Sequence, residues 1–473
     1  MHEHRPRSLI VIGMITALAF ALLAPTASAA SGKVDWSTIS FDVQRSGSNP
    51  AETTIDATNA SNLHQIWSFQ TDGVIDTSPV VASGVLVGGS SRQLVYVGSE
   101  HGMFYAVDSA TGTLVWKRYL GSVQTQCEDL PGGVFGITSA PVIDRSTGRI
   151  FVAGGDGKIH ALDLATGAAS PGWPVQVLSN PNRQHVWAGL SLFEGKLYAE
   201  TASYCDFTPY HGHITEIDVT SAHVVAHFYP AGTHDDGGGI WAWAGASIDP
   251  STGDVFVSTG NDLSAPQNAL YSESVVRLTS DLQVVSHDAP HLVGADVDFG
   301  STPVLLQRPG CSPQLAVENK SGVLFLYNRN HIAAGPLQRL QIADVADFEF
   351  IGSPAWSSAT NTLYVANSSD SSSGPYRHGM VALHEGTDCR LALRWQTAVG
   401  PDPSVVSVPV VANGVVYYAD GVGGQVLAFD ARTGDREWSS PRFGAPFFAE
   451  PIVVNGRVYA GGWDQELHAF EGS

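Results

Sequence analysis

The sequence predicts an all-β fold, an eight-bladed β-propeller of four-stranded antiparallel blades, and three observations predict it. One motif recurs about eight times along 473 residues. The chain carries 50 glycines and only 15% charged residues, which suits short strands joined by tight turns. Successive copies lie 41 to 61 residues apart, room for four strands and their loops. Units of this size stack because none can bury its own faces.

The clearest copy spans residues 94–116. An apolar run, Leu94-Val95-Tyr96-Val97, is followed by a glycine-containing turn and a second run ending at Asp108; Thr111-Gly112 and Trp116 complete it. The same order returns with Asp163, Thr166-Gly167 and Trp173, and with Asp430, Thr433-Gly434 and Trp438. Weaker copies centre on Asp218, Thr279, Asn328, His384 and Glu471. Each apolar run between turn residues reads as a strand. The copy around Glu471 has no outer strand after it, whereas Gln65-Ile66-Trp67-Ser68-Phe69 is an outer strand with no blade before it. Pairing the two would complete blade eight and remove two exposed edges.

This reading divides the chain into a signal peptide over residues 1–29, a lead-in over residues 30–63 and the propeller over residues 64–473. The signal combines basic Arg5 and Arg7, an apolar run from Leu9 to Ala24 and the small residues Ala27-Ser28-Ala29. It predicts export with cleavage near Ala29, and no later stretch is apolar enough to span a membrane. The formal charge is −21, or −22 without Glu3, Arg5 and Arg7; that field argues against nucleic acid as a partner. In an exported chain, Cys127, Cys205, Cys311 and Cys389 predict two disulfides. Of three pairings, Cys127 with Cys205 and Cys311 with Cys389 join loops of nearby repeats. No Cys-x-x-Cys-His haem-attachment motif occurs.

The chemistry-bearing residues crowd into residues 237–320. Gly237-Gly238-Gly239-Ile240-Trp241-Ala242-Trp243 leads to Ser258-Thr259-Gly260-Asn261, then to Asp296-Val297-Asp298-Phe299 and Asn319-Lys320-Ser321-Gly322. Taken singly, these are an inter-blade tryptophan, a turn asparagine, loop carboxylates and a turn lysine. Together with the aspartate, Thr-Gly, tryptophan repeat and the lead-in from Trp36-Ser37 to Asn49-Pro50, the segment resembles the quinoprotein alcohol dehydrogenases. Among their PQQ-repeat relatives the likeness extends to polyvinyl alcohol dehydrogenases. Those enzymes hold pyrroloquinoline quinone (PQQ) and Ca²⁺ at the centre of an eight-bladed propeller.

The resemblance implies a role for each position. Trp243 would be the floor under the quinone, Asn261 a Ca²⁺ ligand, Asp298 the catalytic base and a metal neighbour, and Lys320 the cation facing the quinone oxygens. A flat ring needs a rigid aromatic face, and Ca²⁺ takes amide and carboxylate oxygens. Gly300 stands where lanthanide-specialised relatives carry another aspartate, which favours Ca²⁺. Two departures accompany the likeness. Cys127 is followed by Glu128 rather than by a second cysteine, and the family's calcium-binding glutamate has no counterpart in register. Asp206 is its nearest substitute and Glu200 the second. His211, His213, His234 and Asp236 offer weaker metal-ligand spacing.

The implied function is a secreted oxidoreductase that oxidises an alcohol, small or polymeric, and passes electrons to an external acceptor. The alternative is a non-catalytic propeller whose rim loops bind a protein or glycan. A hydrolase or lyase reading has no nucleophile triad or paired-glutamate motif behind it.

Overall fold

A computed structural model describes residues 1–2, 33–127, 129–234, 236–264, 270–291, 296–344, 352–404 and 407–472; the signal-peptide expectation falls almost entirely outside them. Residues 34–473 form one compact unit. Its strands make an eight-bladed propeller, each blade a four-stranded antiparallel meander. Blade 1 holds Val80–Val87, Ser90–Gly98, Met103–Asp108 and Leu114–Tyr119 in order from the inner strand outward. Blades 2 to 7 repeat the pattern, with inner strands at Val142–Asp144, Ser191–Phe193, Ser247–Ile248, Val304–Leu306, Ala355–Ser357 and Val410–Ala412. Blade 8 is composite. Its inner strands Ile452–Val454, Arg457–Gly461 and Glu466–Glu471 take His64–Gln70 as their outer strand, with Trp67 opposite Ala469 and Gln70 opposite Glu466.

The sequence repeat has a mechanical cause. In each strong copy the outer-strand tryptophan donates its Nε1 hydrogen to a carbonyl just past the next blade's aspartate. Trp67 reaches Ser109 at 3.0 Å, Trp116 reaches Leu164 at 3.0 Å, and Trp395 reaches Ala431 at 3.1 Å. The aspartate folds that turn: Asp163 Oδ1 accepts from the amides of Ala165 and Thr166, and Asp430 Oδ1 from those of Arg432 and Thr433. The glycine leaves room for the tryptophan. A Cβ on Gly167 would sit 2.6 Å from the Trp116 ring, and one on Gly434 2.4 Å from Trp395. Both glycines also hold positive φ, +66° and +79°, which L-residues resist. The motif is therefore a blade-to-blade lock. Between the sheets the alternating strand residues bury continuous apolar layers, such as Val80, Leu94, Tyr96 and Phe104 against Ile143, Ile150 and Val152.

Residues 36–49 run as a hoop across the inner strands. Trp36 exchanges hydrogen bonds with Val81 of blade 1, and the carbonyls of Ser37, Val43, Gln44, Ser46 and Gly47 accept from Ile143, Ile248, Leu305, Trp356 and Val411. Ser48–Asn49 adds a short parallel strand to blade 7. Arg45 anchors the hoop with no surface exposed. Its guanidinium donates to the carbonyls of Ile39, Leu190 and Ala246 and to the hydroxyls of Thr38 and Ser191. Burial lowers it to about 10, against the raising fields of Glu200, Asp42 and Glu450, so it stays charged at neutral pH.

Two disulfides join Cys127 to Cys205 and Cys311 to Cys389, each across 78 residues. Closing loops of that size restricts the unfolded chain. Replacing Cys311 and Cys389 by serine is expected to cost about 2–4 kcal/mol, read as a lower urea midpoint; an unchanged midpoint would show the bridge to be energetically idle. Among the described residues no helix is long and apolar enough to cross a membrane.

Candidate functional site

Residues that precede the inner strands converge where the blades meet. Ile39 of the hoop, Ala140, Trp243, Ala244 and Val408 form one buried cluster, flanked by the half-buried Trp187 and Phe448. Segments so far apart in sequence can meet only around the ring's axis. Trp243 is 6% exposed within it and meets Trp187 edge-on at 5.6 Å. Trp187 packs on Tyr204 at 4.3 Å, and Phe448 on Trp463 at 5.1 Å. An aromatic floor results.

Beside it lies a charged cluster from the loops of blades 4 and 5. The Lys320 ammonium is 2.7 Å from Asp296 Oδ1 and 3.0 Å from Asp298 Oδ1. The Trp241 indole donates to Asp298 Oδ2 at 2.7 Å, and Lys320 lies 4.9 Å from the centre of the Trp241 ring. Asn261 Nδ2 reaches Asp296 Oδ1 at 3.5 Å, while Asn261 Oδ1 is buried without a hydrogen-bond partner. The turn that carries Lys320 is fixed twice: its amide donates to the Asp298 carbonyl at 3.0 Å, and Asn319 Nδ2 to the Val297 carbonyl at 3.0 Å. Two glycines make the crowding feasible. A Cβ on Gly260 would approach Asp298 Oδ2 at 3.0 Å, and one on Gly300 would strike Trp241 at 2.4 Å.

Charge and burial set the protonation behaviour. Burial raises the Asp298 carboxyl well above the usual carboxylate range, and Asp296 adds to the rise; Lys320 and the Trp241 hydrogen bond oppose it. For Lys320 burial alone would lower the ammonium, but Asp298 and Asp296 outweigh it and hold the group charged. A carboxyl placed this way can take a proton from a hydroxyl near neutral pH.

The expected residues thus separate into groups. Asp298 and Lys320 touch, Asn261 joins them through Asp296, and Trp243 lies in the aromatic floor. Asp206 stands at the exposed rim, accepts a hydrogen bond from the Tyr210 hydroxyl and feels the charges of Lys320 and Asp296. Glu200 is buried with neither oxygen hydrogen-bonded; burial holds it well above the carboxylate range, opposed by the field of Arg45. His213 is a buried core histidine bonded to Thr201 Oγ1 and the His211 carbonyl. The groups of three metal-ligating side chains among the described residues include none of His211, His213, His234 or Asp236. Glu128 lies outside the described residues, and Cys127 is spent in its bridge to Cys205. Asp296 and Trp241 were not singled out from sequence. Their signal was adjacency: each lies two residues from a chosen position, but only the folded loop shows which side chain reaches Lys320.

A family described as outer membrane protein assembly factor BamB, PQQ_2, matches residues 27–225 and 362–473. The quinohemoprotein alcohol dehydrogenase of Comamonas testosteroni is 26% identical over 152 residues, 28% of this chain and 17% of that protein. Quinohemoprotein alcohol dehydrogenase ADH-IIG of Pseudomonas putida is 21% identical over 304 residues, 53% of this chain and 39% of that protein. The chain therefore spans well under half the length of these curated relatives. Among solved structures, the Comamonas testosteroni enzyme superposes with a TM-score of 0.70 at 16% identity, covering 92% of this chain and 80% of that one. A europium-containing methanol dehydrogenase gives 0.70 at 16% identity, covering 93% and 98%. BamB from Moraxella catarrhalis gives 0.55 at 16% identity, covering 86% and 97%. At such identities the superpositions show the shared propeller alone.

Proposed function

The chain belongs to the PQQ_2 family, and from that premise we propose that it is an exported quinoprotein-type oxidoreductase acting on an alcohol. The observation that carries this reading is the Asn261, Asp296, Asp298, Lys320 and Trp241 cluster beside an aromatic floor. These residues suit the group the family implies. Asn261 Oδ1 is a buried oxygen without a partner beside carboxylates, the donor set a hard cation such as Ca²⁺ takes. An aspartate at position 300, which would suit a lanthanide, has no space beneath Trp241. We assign Asn261 and Asp298 to the metal, with Asp206 at the rim as a further oxygen. We assign Trp243 to the face under PQQ and Lys320 to its oxygens.

When bound, PQQ supplies the hydride acceptor that no side chain can provide. The chain does the rest. Asp298 takes the proton of the substrate hydroxyl, and Trp241 Nε1 orients that carboxylate. Lys320 keeps the carboxylates compatible with each other and favours negative charge developing nearby. An external acceptor then receives the electrons. Small and polymeric alcohols are both compatible with a site at the mouth of a ring.

Mixing the purified protein with PQQ and Ca²⁺ tests the reading. A bound, redox-active chromophore is expected, weakened by chelation and by Trp243→Ala. No chromophore under any calcium concentration would leave the second reading, a protein- or glycan-binding propeller. That reading has its own support in the family's BamB description, in the Moraxella catarrhalis superposition, and in the commitment of Cys127 to Cys205.

A further inference from the structure

Another pair of acidic groups lies in blade 1, on neither of the loops used above. Asp76 precedes the inner strand Val80–Val87, and Glu100 follows the second strand, Ser90–Gly98. They are 3% and 2% exposed. Neither forms an ion pair with lysine, arginine or histidine among the described residues. Three of their four oxygens are satisfied by neutral donors. Trp463 Nε1 donates to Asp76 Oδ1 at 2.7 Å, Thr138 Oγ1 to Glu100 Oε1 at 2.7 Å, and the Gly136 amide to Glu100 Oε2 at 2.8 Å. The fourth, Asp76 Oδ2, is buried without a hydrogen-bond partner. Around them stand aromatic rings: Trp463 against Phe448, and Tyr204, whose hydroxyl feels both charges.

We propose that the Asp76–Glu100 pair is a binding subsite for an ammonium group, a cation that donates hydrogen bonds. The vacant acceptor calls for a donor, because a buried acceptor left unmet costs about 1–3 kcal/mol. Two uncompensated carboxyls call for that donor to carry positive charge. Burial raises both carboxyls, and the charge of Asp76 raises Glu100 further, so without a ligand the pair keeps a proton in place of the cation. A divalent metal suits the site less well. It seeks six to eight oxygens, and three of these four already hold hydrogen bonds from groups that would have to leave. An ammonium needs only acceptors, and aromatic neighbours favour it. The chain's net charge of −21 draws such cations toward the protein.

The subsite is independent of the quinone reading, so the test uses full-length mature protein, free of PQQ and stripped of calcium. Calorimetric titration with methylammonium is expected to show one saturable site. Tetramethylammonium, equal in charge but with no N–H, should not bind there. Asp76→Asn and Glu100→Gln should each weaken methylammonium about ten- to hundredfold while leaving calcium titration at the Asp298 cluster unchanged. Ammonium ion run in parallel separates the two sources. Equal affinity marks an inorganic ion as the occupant, and tighter binding of methylammonium marks the amine of a larger ligand. Absence of binding, equal binding of tetramethylammonium, or preferential binding of Ca²⁺ lost in both variants would each overturn the proposal. The tetramethylammonium comparison needs no variant, so it decides even if either substitution impairs folding.

Discussion

Asp298→Asn is expected to lower alcohol-dependent dye reduction by about 10²–10⁴-fold, the usual contribution of a positioned base, while binding of PQQ changes little. Asparagine keeps the shape and can still accept the Trp241 hydrogen bond seen at 2.7 Å, so the cradle should survive. It cannot take a proton. It also leaves Lys320 with Asp296 as its one remaining ion-pair partner of the two, which should keep the lysine charged. The measurement is single-turnover reduction of the loaded protein by an alcohol, with PQQ affinity measured beside it. Equal loss of both would mean that Asp298 builds the pocket rather than acting on the substrate, and full activity would remove it from the chemistry.

Deleting residues 30–72 should have the largest effect on stability. The outer strand of blade 8 would be missing, leaving Glu466–Glu471 as an open edge of the kind that recruits other chains. The Trp67 lock on blade 1 would go with it, as would Arg45. Losing that guanidinium leaves the carbonyls of Ile39, Leu190 and Ala246 without their donor for as many as the deletion retains, and each such group costs about 1–3 kcal/mol. The expected product is aggregated or unfolds without a cooperative transition in urea. A soluble truncation with a single sharp midpoint would contradict the importance given to this segment.

The blades could be read in the sequence because one interaction recurs with fixed chemistry. The Trp116 ring needs a residue without a Cβ at position 167, and the turn that presents Gly167 needs an acceptor at Asp163. Copies that lack this lock, such as those at Thr279 and Asn328, were faint for the same reason. The hoop is different. Its bonds run from backbone carbonyls, which any residue carries, so nothing in residues 37–47 advertises which strand each will meet. At the site, Asn261, Asp298 and Lys320 stood out by spacing. Asp296 did not, because its approach to Lys320 depends on a left-handed backbone, φ +58°, and not on residue type. The Asp76–Glu100 pair belongs to no motif at all. Its members come together only because an inner-strand approach and a turn of one blade face the same interior.

The hoop also fixes when this molecule can become itself. Ser37, among the first residues of the unit to be synthesised, bonds to Ile143, but Gly47 must wait for Val411 and the side chain of Asn49 for Val453. Nearly the whole chain must exist before its early segment has all its partners. Such distant pairings slow folding and leave partly built rings with adhesive edges for that time. The same arrangement works in reverse once the ring is complete, since release of the hoop requires several inner strands to let go together. Assembly should therefore be slow and easily diverted, and the finished protein correspondingly slow to come apart, persisting by its rate of opening as much as by its equilibrium stability.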